Sequence, residues 1–322
     1  MDVWGPVVFH GALRKAPGKS KIARVRVFHC DGHAVALPSG HRFPMPKYRL
    51  LREKLLAEGT VRAADLRAAE PIDVDALLLV HTREYVDQVI SGRLSDGDVR
   101  RLGFPWSEQL VLRSRASVAG TLAAARCALD DGVAGNLAGG THHAFAGHGE
   151  GYCTFNDHAT AIRVLQLEGL VERCAVVDLD VHQGNGTASI FAGDDSVFTF
   201  SMHGAKNYPF HKQRSSLDVE LPDGCADAEY LASLERHLPR ALERADVVFY
   251  QGGVDPLAED ALGRLHLTHE GLRARDRMVF EAARRRAIPV VITLGGGYAR
   301  PVEASVEAHA GTYREARAIF AS

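Results

Sequence analysis

Six short apolar runs, separated by stretches of helical periodicity or loop, constrain this chain more than any other feature. They are "RVRVFH" (24–29), "ALLLVH" (76–81), "CAVVDLDV" (174–181), "SVFTFSMH" (196–203), "DVVFYQGG" (246–253) and "IPVVITLGGG" (288–297). Runs of this length, rich in Val, Ile and Phe, suit buried strands. Between them lie helix-like segments. "PKYRLLREKLLAEG" (46–59) has apolar residues at helical spacing and a Gly stop, and "SVAGTLAAARCALDDG" (117–132) is Ala-rich and ends at Gly132. "THEGLRARDRMVFEAARRRA" (268–287) opens near Thr268 or His269 and turns Leu272, Met278 and Val279 inward. Strands alternating with helices predict an α/β fold, a parallel sheet covered on both faces in a three-layer αβα arrangement. There is no internal repeat and no low-complexity linker, and the Gly-rich stretches sit at strand ends. One domain is therefore expected over residues 24–322, with residues 1–23 as a less patterned N-terminal extension. At 322 residues and 46% hydrophobic, the chain can bury a large core.

Charge excludes some function classes. A formal net charge of -2 gives no push toward nucleic acid or an anionic membrane. The basic runs Arg284-Arg285-Arg286 and Arg100-Arg101 read as solvated faces. The five cysteines (Cys30, Cys127, Cys153, Cys174, Cys225) form no CxxC pair, so neither a disulfide framework nor a zinc ribbon is expected. The first residues lack the apolar core of a signal peptide, and no stretch approaches the ~18 apolar residues of a membrane span. These features together predict a cytoplasmic protein.

Several apolar runs end in chemically capable residues: His81, Asp178 to His182, Ser201 to His203, Asp255 and Tyr298. In open parallel sheets, ligands bind outside the carboxyl ends of the strands. Asp178, Asp180 and His182 are two apart, so their side chains share one side of an extended chain. Buried carboxylates on one side repel and are poorly solvated unless a cation pairs with them. A metal bound by Asp180 and His182 resolves this; a solvated loop is the alternative, and Val176, Val177 and the narrow "GNG" turn oppose it. In "YQGGVDPLAEDALG" (250–263), Asp255 either supplies a third ligand or caps the next helix. Two Asp and one His plus water would make a catalytic site with an open position. In "NLAGGTHHAFAGHGEGYCTFND" (136–157), His142 and His143 follow a glycine pair and can share acid and base work. His148 has a surface role there, and His10, His33, His237 and His309 read as structural. Tyr298, ending "LGGGY", could stabilise an oxyanion. No dinucleotide fingerprint, Walker loop or GxSxG elbow is present.

Together, "GGTHHA", "GYCTFNDHA", "DLDVHQGNGT", "FSMHGAKNYPF", "GGVDPLAEDALG" and "LGGGY" resemble, in the same order, the motifs of the zinc-dependent histone deacetylase family, which has the arginase-like α/β fold. The match spans roughly residues 24–315, and "VDLDVHQGNGT" and "DALGRLHLTHEGL" look closest to class IV deacetylases and their bacterial relatives. The resemblance implies that Asp180, His182 and Asp255 hold zinc, with ferrous iron an alternative for such a donor set. It implies that His143 is the general base and then acid, with His142 beside it as an electrostatic partner that Asp178 orients, and that Tyr298 polarises the scissile carbonyl. Gly151 and Tyr152 resemble the lining of an acyl-lysine tunnel, with Tyr208 opposite and Leu262 at the rim. Asp178, Asp180, His182, Ser201 and Met202 match a structural potassium site, and Phe191, Asp194 and Val197 part of a second.

Two departures carry expectations. Asn185 stands where many relatives have an Asp behind the catalytic His, which should lower the His143 pKa. Thr141 stands where relatives often carry a bulky residue at the floor of the acyl pocket, which would leave room for acyl groups longer than acetyl. The activity implied is removal of acyl groups from lysine side chains, with acylated polyamines and other small amines as alternatives. The rim loops "RLGFPWSE" (101–108) and "HGAKNYPFHKQRSS" (203–216) choose among them. An arginase-type ureohydrolase would need an Asp where Gly184 stands, and an inactive acyl-lysine binder would not need the full set of site residues. The sequence sets no oligomeric state.

Overall fold

Eight strands form one wholly parallel sheet in the computed structural model, which describes residues 24–321. They are β1 (Arg26–His29), β2 (Leu66–Ala68), β3 (Val133–Asn136), β4 (Cys174–Asp178), β5 (Val197–Gly204), β6 (Leu217–Leu221), β7 (Val247–Gln251) and β8 (Val290–Thr293). Their spatial order is β2-β1-β3-β8-β7-β4-β5-β6. The helices are α1 (Lys47–Ala57), α2 (Val74–Leu77), α3 (Arg83–Ser91), α4 (Asp96–Leu102), α5 (Glu108–Asp131), α6 (Asp157–Leu167), α7 (Asn185–Ile190), α8 (Asp227–Ala241), α9 (His269–Arg285) and α10 (Val302–Phe320).

Successive residues of the central strands feed opposite cores, as strand periodicity requires. Val177, Tyr250 and Ile292 pack on one face with Leu51 and Leu55 of α1, Leu234 of α8, Phe280 of α9 and Tyr313 of α10. Val176, Phe249 and Val291 pack on the other with Leu122 and Ala125 of α5 and Ile162 of α6. The three-layer αβα arrangement follows from this double burial. Helix boundaries obey local rules. Ser107 accepts from the Leu110 N–H to open α5, whose end is Gly132 at φ 87. Thr268 accepts from the Gly271 N–H to open α9.

The structure corrects one strand expectation. "ALLLVH" is a helical turn: α2 ends at Leu77 and the His81 N–H returns to the Leu77 carbonyl. Leu77 and Leu78 join a cluster with Tyr85, Val86 and Val89 of α3, while Ala76 and Val80 pack against the core formed with α5 and α6, so helices bury what a strand would have. Three strands lack the expected apolar run. β3 reads "VAGN", poor strand chemistry at the centre of the sheet. A Cβ at Gly135 would lie 2.6 Å from the Tyr313 hydroxyl, so glycine is what lets α10 pack there. β2 is three residues long and β6 "LDVEL" only partly apolar; both are edge strands, where pairing with one neighbour suffices.

The expected extension, residues 1–23, lies outside the described residues. All five cysteines are free, and Arg284–Arg286 and Arg100–Arg101 are exposed. Among the described residues no helix is long and apolar enough to cross a membrane.

Candidate active site

Four adjacent central strands deliver the expected side chains to one edge. The segment after β3 carries His142 and His143, that after β8 carries Tyr298, that after β7 carries Asp255, and that after β4 carries Asp180 and His182. The residues are far apart in sequence and meet because parallel strands all end on the same side.

Asp180, His182 and Asp255 are buried, and one donor atom of each lies within 4.8 Å of the others. His182 Nδ1 is 3.0 Å from both Asp180 Oδ1 and Asp255 Oδ2. One ring nitrogen carries at most one proton, which cannot serve two carboxylates. Asp255 Oδ2 is buried without a well-formed hydrogen bond. A cation at the convergence of the three would satisfy all of them, and the set of one imidazole and two carboxylates suits zinc or ferrous iron. The other carboxylate oxygens are already fixed by backbone: Gly296 N–H donates to Asp180 Oδ2 (2.6 Å) and Val181 N–H to Asp255 Oδ1 (2.9 Å). Burial, then the Asp180 charge, pushes the Asp255 carboxyl up to about 7. Burial would lower His182, but hydrogen bonds to Asp180 and Asp255 outweigh it and push the imidazole up to about 10.

Beside this cluster the two histidine rings lie 4.0 Å apart between centroids, their planes tilted by 47°. His142 Nδ1 is 2.7 Å from Asp178 Oδ2, and that carboxylate raises the His142 pKa against the effect of burial. His143 Nδ1 is 2.7 Å from Asn185 Oδ1; burial and the neighbouring His142 and His182 hold it well below the ordinary histidine value. One imidazole is thus biased toward the cation and the other toward the neutral base. Burial raises the Tyr298 phenol well above its usual value, which keeps it a hydroxyl donor.

Tyr298 and the histidines line a cavity of about 70 Å³, together with Thr141, Gly151, Tyr152, Asp180 and His182. The small residues Ser114, Ser117, Ala138, Gly139 and Gly140 also line it, together with the larger Phe104, Leu110 and Phe155. The Thr141 hydroxyl is turned toward the Phe155 carbonyl and Asp157. Phe43, Tyr48 and Arg113 separate this cavity from a neighbouring hollow of about 430 Å³, and line both. Tyr208 stands edge-on to His143, and Leu262 is half-buried with its carbonyl held by Asn207. Neither is part of the cavity wall.

Of the other expected positions, His81 does not join the site. It bonds the Phe145 carbonyl and accepts from the Asn156 N–H, and burial lowers its pKa to about 4. His148 is half-buried and stacks on Phe145. Ser201 and Met202 are buried on β5 beside Asp178, the Ser201 hydroxyl 2.9 Å from His203 Nδ1. Asp194, near Phe191 and Val197, is paired with Arg163 at 2.6 Å.

Comparison with known proteins decides the family. A model of the histone deacetylase domain matches residues 41–313. The chain belongs to the histone deacetylase family. An uncharacterized protein of Picosynechococcus is 45% identical over 91% of this chain and 98% of its own length. Histone deacetylase 2 of Arabidopsis thaliana is 30% identical over 89% of this chain and 78% of its own. The crystal structure of an HDAC homolog from Aquifex aeolicus superposes with a TM-score of 0.80 at 25% identity, covering 93% of this chain and 89% of that one.

This deacetylase-family site also uses residues that sequence reading does not single out. Asp157 accepts from the N–H groups of Gly140 (3.0 Å) and Thr141 (2.7 Å) and so shapes the turn before the histidines. Asp260 accepts from the N–H groups of Tyr298 (2.6 Å), Leu262 and Gly263. Buried Lys47 reaches from α1 to donate to the carbonyls of Gly295 and Gly297, 3.3 Å each, and its ammonium lies 5.4 Å from the Tyr298 ring centre. Arg275 of α9, wholly buried, donates to the carbonyls of Gly253 (2.6 Å) and Leu179 (3.3 Å), one near each metal-site aspartate. Asp157 and Asp260 lie within motif stretches, whereas Lys47 and Arg275 sit among other charged residues of their helices and carry no local signal.

Proposed function

We propose that the protein is a metal-dependent amidohydrolase that removes acyl groups from lysine side chains. The observation that carries the reading is the convergence of Asp180, His182 and Asp255 beside a neutral-biased His143 and the phenol of Tyr298, with Asp180, His182, His143 and Tyr298 lining one cavity. A divalent ion held by that triad, zinc or ferrous iron, would supply Lewis acidity and lower the pKa of an attacking water. His143 takes the proton as water attacks the acyl carbonyl and returns it to the leaving amine. His142, charged against Asp178, stabilises the negative charge that develops nearby. The Tyr298 hydroxyl donates to the oxyanion. Gly151 and Tyr152 flank the approach of the acyl-lysine, with Tyr208 and Leu262 at its mouth.

Thr141 and the small lining residues Ser114, Ser117 and Ala138 support acyl groups longer than acetyl. Asn185 and the "DLDVHQGNGT" motif support a class IV-like member, with residues 24–322 as the catalytic domain. The free thiols suit a reducing, cytoplasmic setting. Asp178, Asp180, His182, Ser201 and Met202 are candidate ligands of one structural potassium ion, and Phe191, Asp194 and Val197 of another.

The test is hydrolysis of acetyl-, butyryl-, octanoyl- and myristoyl-lysine peptides and of an acetylated polyamine, with and without chelator. Chelator-sensitive turnover of the peptides is expected, with octanoyl at least as fast as acetyl. Turnover of the polyamine alone would overturn the lysine assignment, and turnover indifferent to chelator would overturn the metal.

A further inference from the structure

An amide stands behind the His143 ring where a carboxylate would be self-sufficient. Nδ1 of His143 faces Asn185 Oδ1 at 2.7 Å. An amide has two chemically opposite ends of nearly the same shape. Turned over, Asn185 would present its NH₂ group to Nδ1. The ring would then carry its own proton on Nε2 and have no lone pair left for a base.

The choice is made one residue further out. Asn185 Nδ2 lies 2.6 Å from Glu150 Oε1. A carboxylate oxygen only accepts. Nδ2 must therefore face Glu150, Oδ1 must face His143, and the ring proton must sit on Nδ1. Nε2 is left free to take a proton. The same Glu150 oxygen accepts from the Tyr208 hydroxyl at 2.7 Å, and the Tyr208 ring stands edge-on to His143 with centroids 5.0 Å apart. Oε2 is 3.5 Å from His148 Nε2, and the Glu150 side chain is 13% exposed. Water therefore has limited access to the carboxylate. We infer that Glu150 is a positioning residue: it fixes the orientation of the Asn185 amide and through it the tautomer of His143, while holding Tyr208 against the same ring. The inference rests on the reading of His143 as the general base.

The arrangement makes Asn185 and Glu150 a matched pair. An aspartate in place of Asn185 would orient the ring unaided but would face Glu150 carboxylate to carboxylate. N185D alone should therefore be poor, and E150Q should rescue it, because a glutamine amide can donate to the introduced carboxylate. E150A should lower turnover by about 10–100-fold, the usual effect of losing an outer partner. E150Q in the native background should lose less, since its carbonyl still accepts from Asn185.

The experiment combines turnover of the acyl-lysine peptide with ¹⁵N-histidine NMR of the zinc-loaded protein. The His143 signals are assigned by their loss in H143A. Expected are an Nδ1–H tautomer in the native protein and in E150Q, mixed tautomers in E150A, and recovery of N185D by E150Q to within about threefold of the native rate. An unchanged Nδ1–H tautomer in E150A, or N185D as active alone as with E150Q, would overturn the inference. If E150A does not fold, the N185D pair decides. If the native protein hydrolyses no acyl-lysine, the functional reading fails, and the tautomer measurement still decides the role of Glu150.

Discussion

At the scale of single residues, the proposed mechanism divides the site into groups that do chemistry and groups that hold them. Tyr298 belongs to the first. Tyr298→Phe removes one hydroxyl and should lower kcat by about 10²–10³, the usual loss for one oxyanion donor, with KM little changed; steady-state kinetics on the preferred acyl-lysine peptide checks this. Lys47 belongs to the second. Burial, partly offset by Asp255, Asp260 and Asp180, lowers its pKa to about 8. In the unfolded chain a lysine keeps its proton to about 10.4. Between those values the unfolded state binds more protons, so stability gained from this group rises with pH. Urea unfolding should show native stability rising relative to Lys47→Met from about pH 8 to pH 10, while the variant loses turnover because the Tyr298 loop loses two carbonyl anchors. A native-minus-variant difference that is flat or falls with pH would refute it. Asp180, His182, Asp255 and Tyr298 were legible in the sequence because each follows an apolar run, and His142 and His143 because a histidine pair follows two glycines. Lys47, Asp157, Asp260 and Arg275 were not: each bonds at least one backbone group 16 or more positions away, and no local pattern records that.

At the scale of elements, the strands supply direction and the loops after them supply close approach. Gly296 shows how tight that approach is: a Cβ there would lie 1.9 Å from Asp255 Oδ2. Gly296→Ala should bring bound zinc, measured by atomic emission, well below one per chain, with the circular dichroism spectrum retained. Thr268 is a remote control. Its hydroxyl caps α9 and also meets Asp227. Thr268→Ala should cost about 1 kcal/mol in urea unfolding and leave kcat unchanged. The elements were readable where pattern and burial agree, as in β4, β5, β7, β8, α1 and α9. They were not where tertiary contact overrides composition. β3 exists because α10 needs a glycine beneath Tyr313, and "ALLLVH" is helical because α3 offers it an apolar face.

At the scale of the whole molecule, a metal that binds the folded chain alone also stabilises it. At a thousand times Kd this amounts to about 4 kcal/mol. Chelation should therefore lower Tm, zinc should restore it, and the Asp255→Ala protein should not respond to either; calorimetry distinguishes these outcomes. The α/β class and the single sheet follow from alternation of runs, but the strand order does not. Nothing local says that β3 pairs with β8.

That pairing has a consequence for how the protein is made. A ribosome delivers the chain from its amino end, and β8 is the final strand to emerge, yet it belongs in the middle of the sheet between β3 and β7. Without β8 the strand order falls into two groups, β2-β1-β3 and β7-β4-β5-β6, each ending in an unpaired strand, β3 or β7, that is wholly buried in the finished molecule. Such edges invite pairing with other chains. Tyr298 arrives only five residues after β8 ends at Thr293. A chain cut short before β8 therefore lacks both Tyr298 and the strand that joins the two groups, and it presents two adhesive edges to chaperones and proteases; completion of the sheet and of the proposed site is one late event.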